Sequence, residues 1–278
     1  MSPSFDTTMQ QIETTLRRVE VDGIIVAVAF HDLQTGLEFL HRADESFHPA
    51  STFKVGVMME VFHQAAQGKF SLDDEIPVVN SFTSIADGNP FSVFPDDDSE
   101  TSLYEKIGNT ESLREIVRLM IAQSSNFATN ILIQKVGAAN ATAYLKELGV
   151  EGVQILRGPE DNRAFARGLN NAATAHSLMQ MMQIIAEGKA VSEKASFEMV
   201  EILLEQRFNE GIPARLPQTV KAAHKTGWND RLYHDFGIIF PGNRKPYILA
   251  VMTNGFAAES DAHACVAEIS KHFYQSLA

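Results

Sequence analysis

Both ends of the chain carry short apolar runs rich in β-branched residues, and the middle carries apolar positions at helical spacing. The runs near the amino terminus are GIIVAVAFHD and GLEFLHR, and the turn LQTG between them predicts a hairpin. The runs near the carboxyl terminus are TVKAAHKTG, LYHDFGIIFP and KPYILAVMTNG. Apolar runs of this length and composition are typical of buried strands, so five strands are predicted.

Apolar residues spaced three or four apart predict helices in much of the remaining chain. Two terminal helices are predicted over residues 5–19 and 259–275. Helix 51–67 is expected to be capped by Ser51 or by the Pro49 before it. Five further helices are predicted over residues 111–122, 126–136, 139–148, 174–187 and 192–207.

Residues 71–110 fit neither pattern. Much of this segment reads SLDDEIPVVNSFTSIADGNPFSVFPDDDSE, which is rich in Pro, Asp, Ser and Gly. It still offers Phe82, Phe91 and Phe94 for burial. The segment is therefore predicted to be a long ordered loop or insertion.

Strands at both ends of the chain that pair in one sheet, with helices between them, predict a two-lobed α+β protein, or α/β sandwich. Residues 1–48 and 208–278 are expected to form a lobe built on a five-stranded antiparallel sheet flanked by the terminal helices. Residues 49–207 are expected to form an inserted all-helical lobe, and the two lobes to make one integrated domain. The cleft between the lobes is the expected ligand site.

The composition narrows the possible partners. The 278 residues carry 35 acidic and 23 basic side chains, a formal net charge of −12, and so acidic a surface repels nucleic acid. No apolar run reaches about 18 residues, so no membrane span is predicted. The single cysteine, Cys265, sits at a predicted buried helix position and allows neither an intrachain disulfide nor a thiolate zinc site. The nine histidines are scattered without metal-ligand spacing. We expect a monomer that binds a small molecule, with no metal and no cofactor.

The compartment stays open at this point. The amino-terminal stretch MSPSFDTTMQQIETTLRRVE lacks the apolar core of a signal peptide. The chain is either cytoplasmic or the trimmed form of an exported, periplasmic or secreted precursor.

Three short motifs carry candidate chemistry, and the first is Ser51-Thr52-Phe53-Lys54. Residues three apart lie on the same face of a helix, so Lys54 could take or relay the proton of Ser51 if its own pKa is lowered. The structural alternative is a capped helix with a solvated lysine.

The second motif is Ser124-Ser125-Asn126, at the junction of two predicted helices. It is either a helix cap or a site in which Ser124 passes a proton to a leaving group and Asn126 binds a substrate amide.

The third motif is Lys225-Thr226-Gly227, at the end of a predicted strand. It is either a strand ending in a turn or a binding edge. In the second interpretation Lys225 supplies positive charge and Thr226 binds a substrate carboxylate. Gly227 would then let a substrate backbone lie flat against the strand.

Together, in this order, these motifs form the S-x-x-K, S-x-N and K-T-G set, and the chain resembles the class A serine β-lactamases and their penicillin-recognising relatives. The resemblance runs over nearly the whole chain and includes GKFSLDDEI and QSSNFATNILI. It implies that Ser51 is the nucleophile and that Lys54 activates it. It further implies that Ser124, with Lys225 close by, protonates the departing nitrogen. The implied oxyanion hole is the backbone N–H of Ser51 and of Trp228.

The resemblance also implies a glutamate, on a loop beneath the serine, that activates the water for hydrolysis of the acyl-enzyme. Glu160, in the stretch LRGPEDNRAF, follows Asn126 at close to the family separation and is the candidate. The asparagine expected four residues later is replaced by Ala164, and Asn162 could substitute for it. The pair Leu169-Asn170 comes too late to match.

A second acid in the same stretch, Asp161, is a rival carboxylate. It is expected instead to form a salt bridge with Arg157 or Arg163. Glu160 itself could also be a structural acid of the loop.

Four further positions depart from the family or extend the site. Ser125 stands where the family has Asp, a residue that mainly buttresses a loop, so catalysis is expected to survive. Arg231 is a candidate for binding the substrate carboxylate, or a solvated hairpin charge. Tyr104 is a candidate aromatic wall, or a core residue. Trp228 could stack on the substrate or narrow the specificity, and segment 71–110 could roof the cleft.

The leading expectation is a serine β-lactamase that hydrolyses the β-lactam amide through an acyl-enzyme on Ser51. The alternative is a penicillin-binding D,D-peptidase-like protein or an esterase of the same fold, with slow or different deacylation. A non-catalytic binding module is the third possibility.

Overall fold

The structure is a computed structural model and describes residues 5–20 and 23–277. Within these residues the strands are β1 (Ile25–Asp32), β2 (Glu38–His41), β3 (Glu75–Pro77), β4 (Phe82–Thr83), β5 (Pro90–Phe91), β6 (Thr110–Ser112), β7 (Lys221–Asn229), β8 (Leu232–Phe240) and β9 (Tyr247–Asn254). The α-helices are α1 (Phe5–Glu20), α2 (Lys54–Ala66), α3 (Leu113–Ala122), α4 (Asn126–Val136), α5 (Ala138–Glu147), α6 (Asn162–Ala166), α7 (Ala175–Ala186), α8 (Glu193–Leu204) and α9 (Glu259–Leu277).

The five predicted strands form one antiparallel sheet in the order β2-β1-β9-β8-β7. Strand β1 pairs with β9, so that Val28 lies opposite Val251 and the two ends of the chain meet in the centre of the sheet. Strand β7 pairs only with β8 within this sheet, and Lys225 lies opposite Phe236. The predicted α+β fold with a five-stranded antiparallel sheet is confirmed, and the K-T-G motif lies on an edge strand.

Both faces of the sheet are covered, which explains the continuous apolar runs. Side chains alternate along a strand, so Val28 of β1 faces one side and Ala27 the other. On the side of Val28 the core is closed by α1 and α9, with Phe30 stacked on Phe273 at a ring-centroid distance of 4.2 Å. On the side of Ala27 the core includes α2, α3, α4 and α7. Cys265 is buried in α9, as predicted.

The long helices agree with their predictions, and the differences concern short pieces. Residues Ala50–Phe53 form a 3₁₀ helix rather than the first turn of α2, so α2 begins at Lys54 and Ser51 is not its cap. The five-residue helix α6 was not predicted, because five residues are too few to show a helical period. None of the helices in the described residues is long and apolar enough to cross a membrane.

Segment 71–110 is ordered but is more than a loop. Strand β3 pairs with β6, strand β4 pairs with β5, and two 3₁₀ helices span Pro95–Asp97 and Ser102–Lys106. Phe82 is buried and Phe91 partly buried, as expected. The expected burial of Phe94 was wrong, because its side chain is 64% exposed. Its backbone is extended and Val93 occupies the core, so the next side chain points to solvent.

Candidate active site

Ser124 Oγ lies between two buried lysines. Lys54 Nζ is 2.7 Å from the backbone oxygen of Ser124, 3.4 Å from Ser124 Oγ and 2.9 Å from Asn126 Oδ1. Lys225 Nζ donates to Ser124 Oγ at 3.0 Å and to the backbone oxygen of Thr226 at 2.7 Å. The structure therefore brings the polar groups of the second motif into contact with the lysines of the other two.

The edge strand β7 lies directly against the 3₁₀ helix that carries Ser51. A Cβ atom on Gly227 would lie 2.8 Å from the backbone nitrogen of Ser51 and 3.0 Å from the backbone oxygen of Pro49. Only a glycine allows the two backbones to approach this closely. The space left by Gly227 is thus filled by the backbone of the first motif, whereas the sequence suggested room for a substrate.

The second motif turns sharply into α4. Ser124 has φ 57°, a left-handed conformation that is costly for a residue with a side chain and that needs support from its surroundings. Ser125 supplies part of that support, because its Oγ accepts the backbone N–H of Ala128 at 3.1 Å and caps α4. The turn presents the side chains of Ser124 and Asn126 towards Lys54.

A cavity of about 610 Å³ opens above these groups. Its wall includes Ser51, Ser124 and Asn126 from the motifs, together with Glu160 and Trp228. The buried lysines and Thr226 lie behind this wall and are almost without solvent contact. A small molecule in the cavity would therefore meet a serine hydroxyl backed by hydrogen-bonded lysines.

Burial lowers the pKa of both lysines. The pKa of Lys54 falls to about 7, and the negative charges of Asp98 and Glu160 oppose a further fall. The pKa of Lys225 falls well below its usual value through burial and through the nearby charge of Lys54, whereas Asp235 raises it. A lysine that loses its proton near neutral pH can act as a base.

Glu160 faces the same cavity. Its Oε1 lies 3.3 Å from Asn126 Nδ2, so the Asn126 amide stands between Glu160 and Lys54. Burial raises the pKa of Glu160 and the charge of Asp97 raises it further, whereas Arg157 and Lys54 lower it. The residue has φ 63°, a second strained non-glycine conformation at this site.

The sequence model of the beta-lactamase enzyme family matches residues 8–277. This chain belongs to that family. A beta-lactamase of Streptomyces fradiae is 25% identical to it over 278 residues, covering 96% of this chain and 86% of the relative. Beta-lactamase CTX-M-97 of Escherichia coli is 26% identical over 228 residues, covering 81% and 74%.

Solved structures show the same fold. A beta-lactamase from Chitinophaga pinensis has a TM-score of 0.84 and 23% identity, covering 98% of this chain and all of the other. PBP-A has a TM-score of 0.83 and 23% identity, covering 100% and 99%. As a member of this family the chain is a hydrolase, and the family's substrates are small-molecule β-lactams.

In this member of the β-lactamase family, Asp161 does not form the predicted salt bridge. Its carboxylate accepts Ser84 Oγ at 2.7 Å and the backbone N–H of Ile85 at 3.0 Å. It also caps α6 through the backbone N–H of Ala164 at 3.1 Å. Neither arginine is needed as its partner, because hydrogen-bond donors already surround the carboxylate. Asp161 therefore ties segment 71–110 to the loop of Glu160.

Residues 157–171 form the loop that carries Glu160, and we call it the Glu160 loop. The side-chain amide of Asn171 joins its two ends. Asn171 Oδ1 accepts the backbone N–H of Leu156 at 2.8 Å and of Arg157 at 3.1 Å. The buried Arg157 side chain donates to the backbone oxygen of Leu169 at 3.1 Å and to Asn170 Oδ1 at 3.0 Å. The Leu169-Asn170 pair thus holds an arginine.

Asn162 and Ala164, the two positions considered for the water-holding asparagine, differ in their exposure to the cavity. Asn162 is exposed on the cavity wall, as a substitute for the family asparagine would need to be. Ala164, where that asparagine was expected, is fully buried and is not part of the wall. Arg163 contacts the backbone oxygens of Asn89 and Pro90 at 2.8 and 2.9 Å, away from Asp161.

Tyr104 and Arg231 are not brought to the cavity wall. The Tyr104 hydroxyl donates to Asp98 Oδ2 at 3.0 Å, and its ring packs on Phe127 at 4.7 Å. The Arg231 guanidinium donates to the backbone oxygen of Gly255 and lines a separate cavity of about 170 Å³. Trp228 lies between the two cavities and borders both of them.

Sequence reasoning missed Asp98 and Asn171. Both are polar residues in polar stretches, and neither belongs to a motif, so the sequence offers no signal for them. Asn171 closes the Glu160 loop, and Asp98 contacts the start of α4. Among the described residues no three His, Cys, Asp or Glu side chains come together as possible ligands of one metal ion.

Proposed function

We propose that this chain is a class A-like serine β-lactamase that works through an acyl-enzyme on Ser51. The observation that carries the proposal is the position of Ser124 Oγ, 3.0 Å from Lys225 Nζ and 3.4 Å from Lys54 Nζ. The cavity above it also holds Ser51 and Glu160. This arrangement offers a nucleophile, a base of lowered pKa, a proton donor and a carboxylate in one place.

In the first half-reaction Ser51 Oγ attacks the carbonyl carbon of the lactam, and its proton passes to neutral Lys54. The backbone N–H groups of Ser51 and Trp228 bind the oxyanion in this proposal, which is supported by the position of Trp228 on an edge strand and on the cavity wall beside Ser51. The C–N bond then breaks, and the nitrogen takes a proton from Ser124 Oγ, which the adjacent lysines resupply. The product is an ester on Ser51.

In the second half-reaction Glu160 removes a proton from a water molecule, and the resulting hydroxide attacks the ester carbonyl. Ser51 Oγ leaves and recovers the proton that Glu160 took from the water, which frees the acid product and restores the ionised Glu160. A raised pKa makes the ionised Glu160 a stronger base for this step. Asn126 orients Glu160 through the 3.3 Å contact. Thr226 and Lys225 are buried behind the cavity wall, so Lys225 acts on the substrate through its hydrogen bond to Ser124 Oγ.

A penicillin-binding D,D-peptidase-like protein or an esterase is the second candidate. It is favoured by Ala164, which is buried at the position where a water-holding asparagine was expected. Asn162 is the replacement on the cavity wall, but it is exposed and starts a five-residue helix. Weaker positioning of the water would slow deacylation and leave the first half-reaction intact.

Replacing the proposed base tests both candidates. The variant Glu160→Gln keeps the shape of the side chain and removes the base, so turnover of a chromogenic cephalosporin should fall roughly 10²–10⁴-fold. Mass spectrometry should show an acyl adduct accumulating on the variant but not on the wild type, and Ser51→Ala should show none. Glu201→Gln, on the exposed side of α8, is the matched control.

Two outcomes would contradict parts of this proposal. Unchanged turnover of Glu160→Gln, without an adduct, would remove Glu160 from the role of base. A persistent adduct on the wild-type protein would favour the penicillin-binding candidate, and turnover of esters without reaction with β-lactams would favour the esterase.

A further inference from the structure

Asp98 makes an unusual number of contacts for a residue in an irregular segment. Its carboxylate accepts the backbone N–H of Asn126 and of Phe127, each at 2.8 Å. It also accepts Ser125 Oγ at 3.1 Å and the hydroxyl of Tyr104 at 3.0 Å. Two of these donors are free N–H groups of the first turn of α4, where a negative charge is favourable. Asp98 is therefore an anchor for the start of α4.

The turn that Asp98 anchors holds the hydrogen-bond acceptors of Lys54. These are the backbone oxygen of Ser124 at 2.7 Å and Asn126 Oδ1 at 2.9 Å. Ser124 is held at φ 57°, so its conformation depends on contacts outside its own backbone. Charge-assisted hydrogen bonds such as those of Asp98 are among the stronger contacts available for this purpose.

The second motif has serine at its middle position, where the family set has a carboxylate. In this chain Ser125 Oγ donates to the Asp98 carboxylate, which comes from segment 71–110. We propose that Asp98 replaces, from another segment, the carboxylate missing at Ser125 and positions Ser124 and Asn126 against Lys54. The inference rests on the proposed function. It assigns Asp98 as a positioning residue, because its carboxylate oxygens accept hydrogen bonds from the protein although the residue borders the cavity.

Asp98 also acts on Lys54 through its charge. The ionisable groups facing Lys54 are Asp98 from segment 71–110, Glu160 from its loop and Lys225 from β7. Burial lowers the pKa of Lys54, and the negative charge of Asp98 opposes that fall. Removing the charge should lower the pKa of Lys54 further, so the neutral base would persist to lower pH.

The variant Asp98→Asn tests the anchor without changing the size of the side chain. An amide has one acceptor oxygen, whereas the N–H groups of Asn126 and Phe127 each use one oxygen of Asp98. The rate of Ser51 acylation should fall roughly 10- to 100-fold. The pH below which acylation slows (the acid limb of its pH profile) should be lower than in the wild type. Glu105→Gln, an exposed acid in the same segment, is the control for charge.

Adding Ser125→Asp distinguishes positioning from general stability. In the wild type a carboxylate at position 125 would lie against Asp98 and repel it, because Ser125 Oγ is only 3.1 Å from Asp98 Oδ2. In the Asp98→Asn background the same change restores a carboxylate to the turn and can still cap α4. As a single variant, Ser125→Asp should therefore slow acylation relative to the wild type. In the double variant it should speed acylation relative to Asp98→Asn and restore the wild-type pH dependence.

Acylation is measured as the rate at which Ser51 gains mass, with a penicillin and with a fluorophosphonate. The second reagent reports on Ser51 even if no β-lactam reacts, so failure of the proposed function is distinguishable from failure of this inference. If Asp98→Asn is labelled at the wild-type rate and with the wild-type pH dependence, Asp98 does not have the proposed role. The role would also be overturned if Ser125→Asp lowered the acylation rate equally in the wild type and in Asp98→Asn.

Discussion

Lys54 and Lys225 share Ser124 Oγ as a neighbour, and both are out of contact with water. Two full positive charges this close together in a buried place repel each other and lose their hydration. Loss of a proton from one of them relieves both costs. The lowered pKa of each lysine therefore follows from where the backbone places them.

The acylation rate should rise with pH through about 7, because the proposed base is the neutral form of Lys54. Below that pH the lysine is protonated and cannot accept the serine proton. Stopped-flow measurement of acylation between pH 5 and 9 checks the position of the limb. Lys54→Arg should remove the limb and most of the activity, since arginine stays charged. A flat profile for the wild type would contradict the role of Lys54.

The residues of the three motifs could be singled out because the motifs, taken together and in order, resemble a known family set, whereas each motif alone had a structural alternative. Asp98 could not be predicted, since its contact to Asn126 spans 28 positions and exists only after folding. The salt bridge expected for Asp161 was wrong for a related reason. Proximity along the chain favoured an arginine, but folding brought Ser84 and the N–H of Ile85 to the carboxylate.

At the scale of elements, the contact between β7 and the 3₁₀ helix Ala50–Phe53 joins the sheet to the helical part of the site. Prediction worked for elements long enough to show a period, such as β8 and α9. It failed for α6 and for the short strands of segment 71–110, whose pairing depends on partners distant in sequence. A period cannot be detected in two or three residues.

Gly227→Ala should damage this junction. The new methyl group would lie 2.8 Å from the backbone nitrogen of Ser51, and backbone cannot move aside cheaply. We expect a loss of about 1–3 kcal/mol in the free energy of unfolding, together with a large loss of acylation. Urea denaturation and the acylation rate measure the two effects.

Gly56→Ala is the matched control for this change. A methyl group there would come within 2.8 Å of Leu145 Cδ1 and 2.9 Å of Ile155 Cδ1, which are ends of flexible side chains. The helix propensity of alanine offsets part of that crowding. Equal loss of acylation in both variants would contradict a specific role for the β7 junction.

At the scale of the whole molecule, negative charge extends to the mouth of the cavity. The exposed Asp96, Asp97 and Asp230 lie on its wall, and within residues 5–20 and 23–277 none of them has an ion-pair partner. The wall also holds Arg157, which is buried and bonded to its own loop, and His48, whose pKa burial lowers. The local field therefore has the same sign as the net charge of −12.

Penicillins with one skeleton and different side-chain charge should be distinguished by this field. An α-amino side chain should give a kcat/KM roughly 10-fold above that of an α-carboxy side chain, with the neutral parent between them. Added salt should narrow the difference, because exposed charges are screened. Steady-state kinetics at two salt concentrations measure it.

The double variant Asp96→Asn/Asp230→Asn should reduce this preference, and Glu201→Gln, which removes one charge far from the cavity, should leave it unchanged. Asparagine is tolerated at position 230, where φ is 41°. An unchanged ratio of kcat/KM between the α-amino and α-carboxy penicillins in the double variant would show that the charges of Asp96 and Asp230 do not set the preference.

Trp228 has one more consequence. It is the single tryptophan of the chain, it is 55% exposed, and it stands on the wall of the cavity that holds Ser51. The indole fluorescence of the protein therefore comes from a residue on the wall of the proposed active site. We expect a ligand that enters the cavity to change this fluorescence, so that its binding and release can be followed in real time without a label.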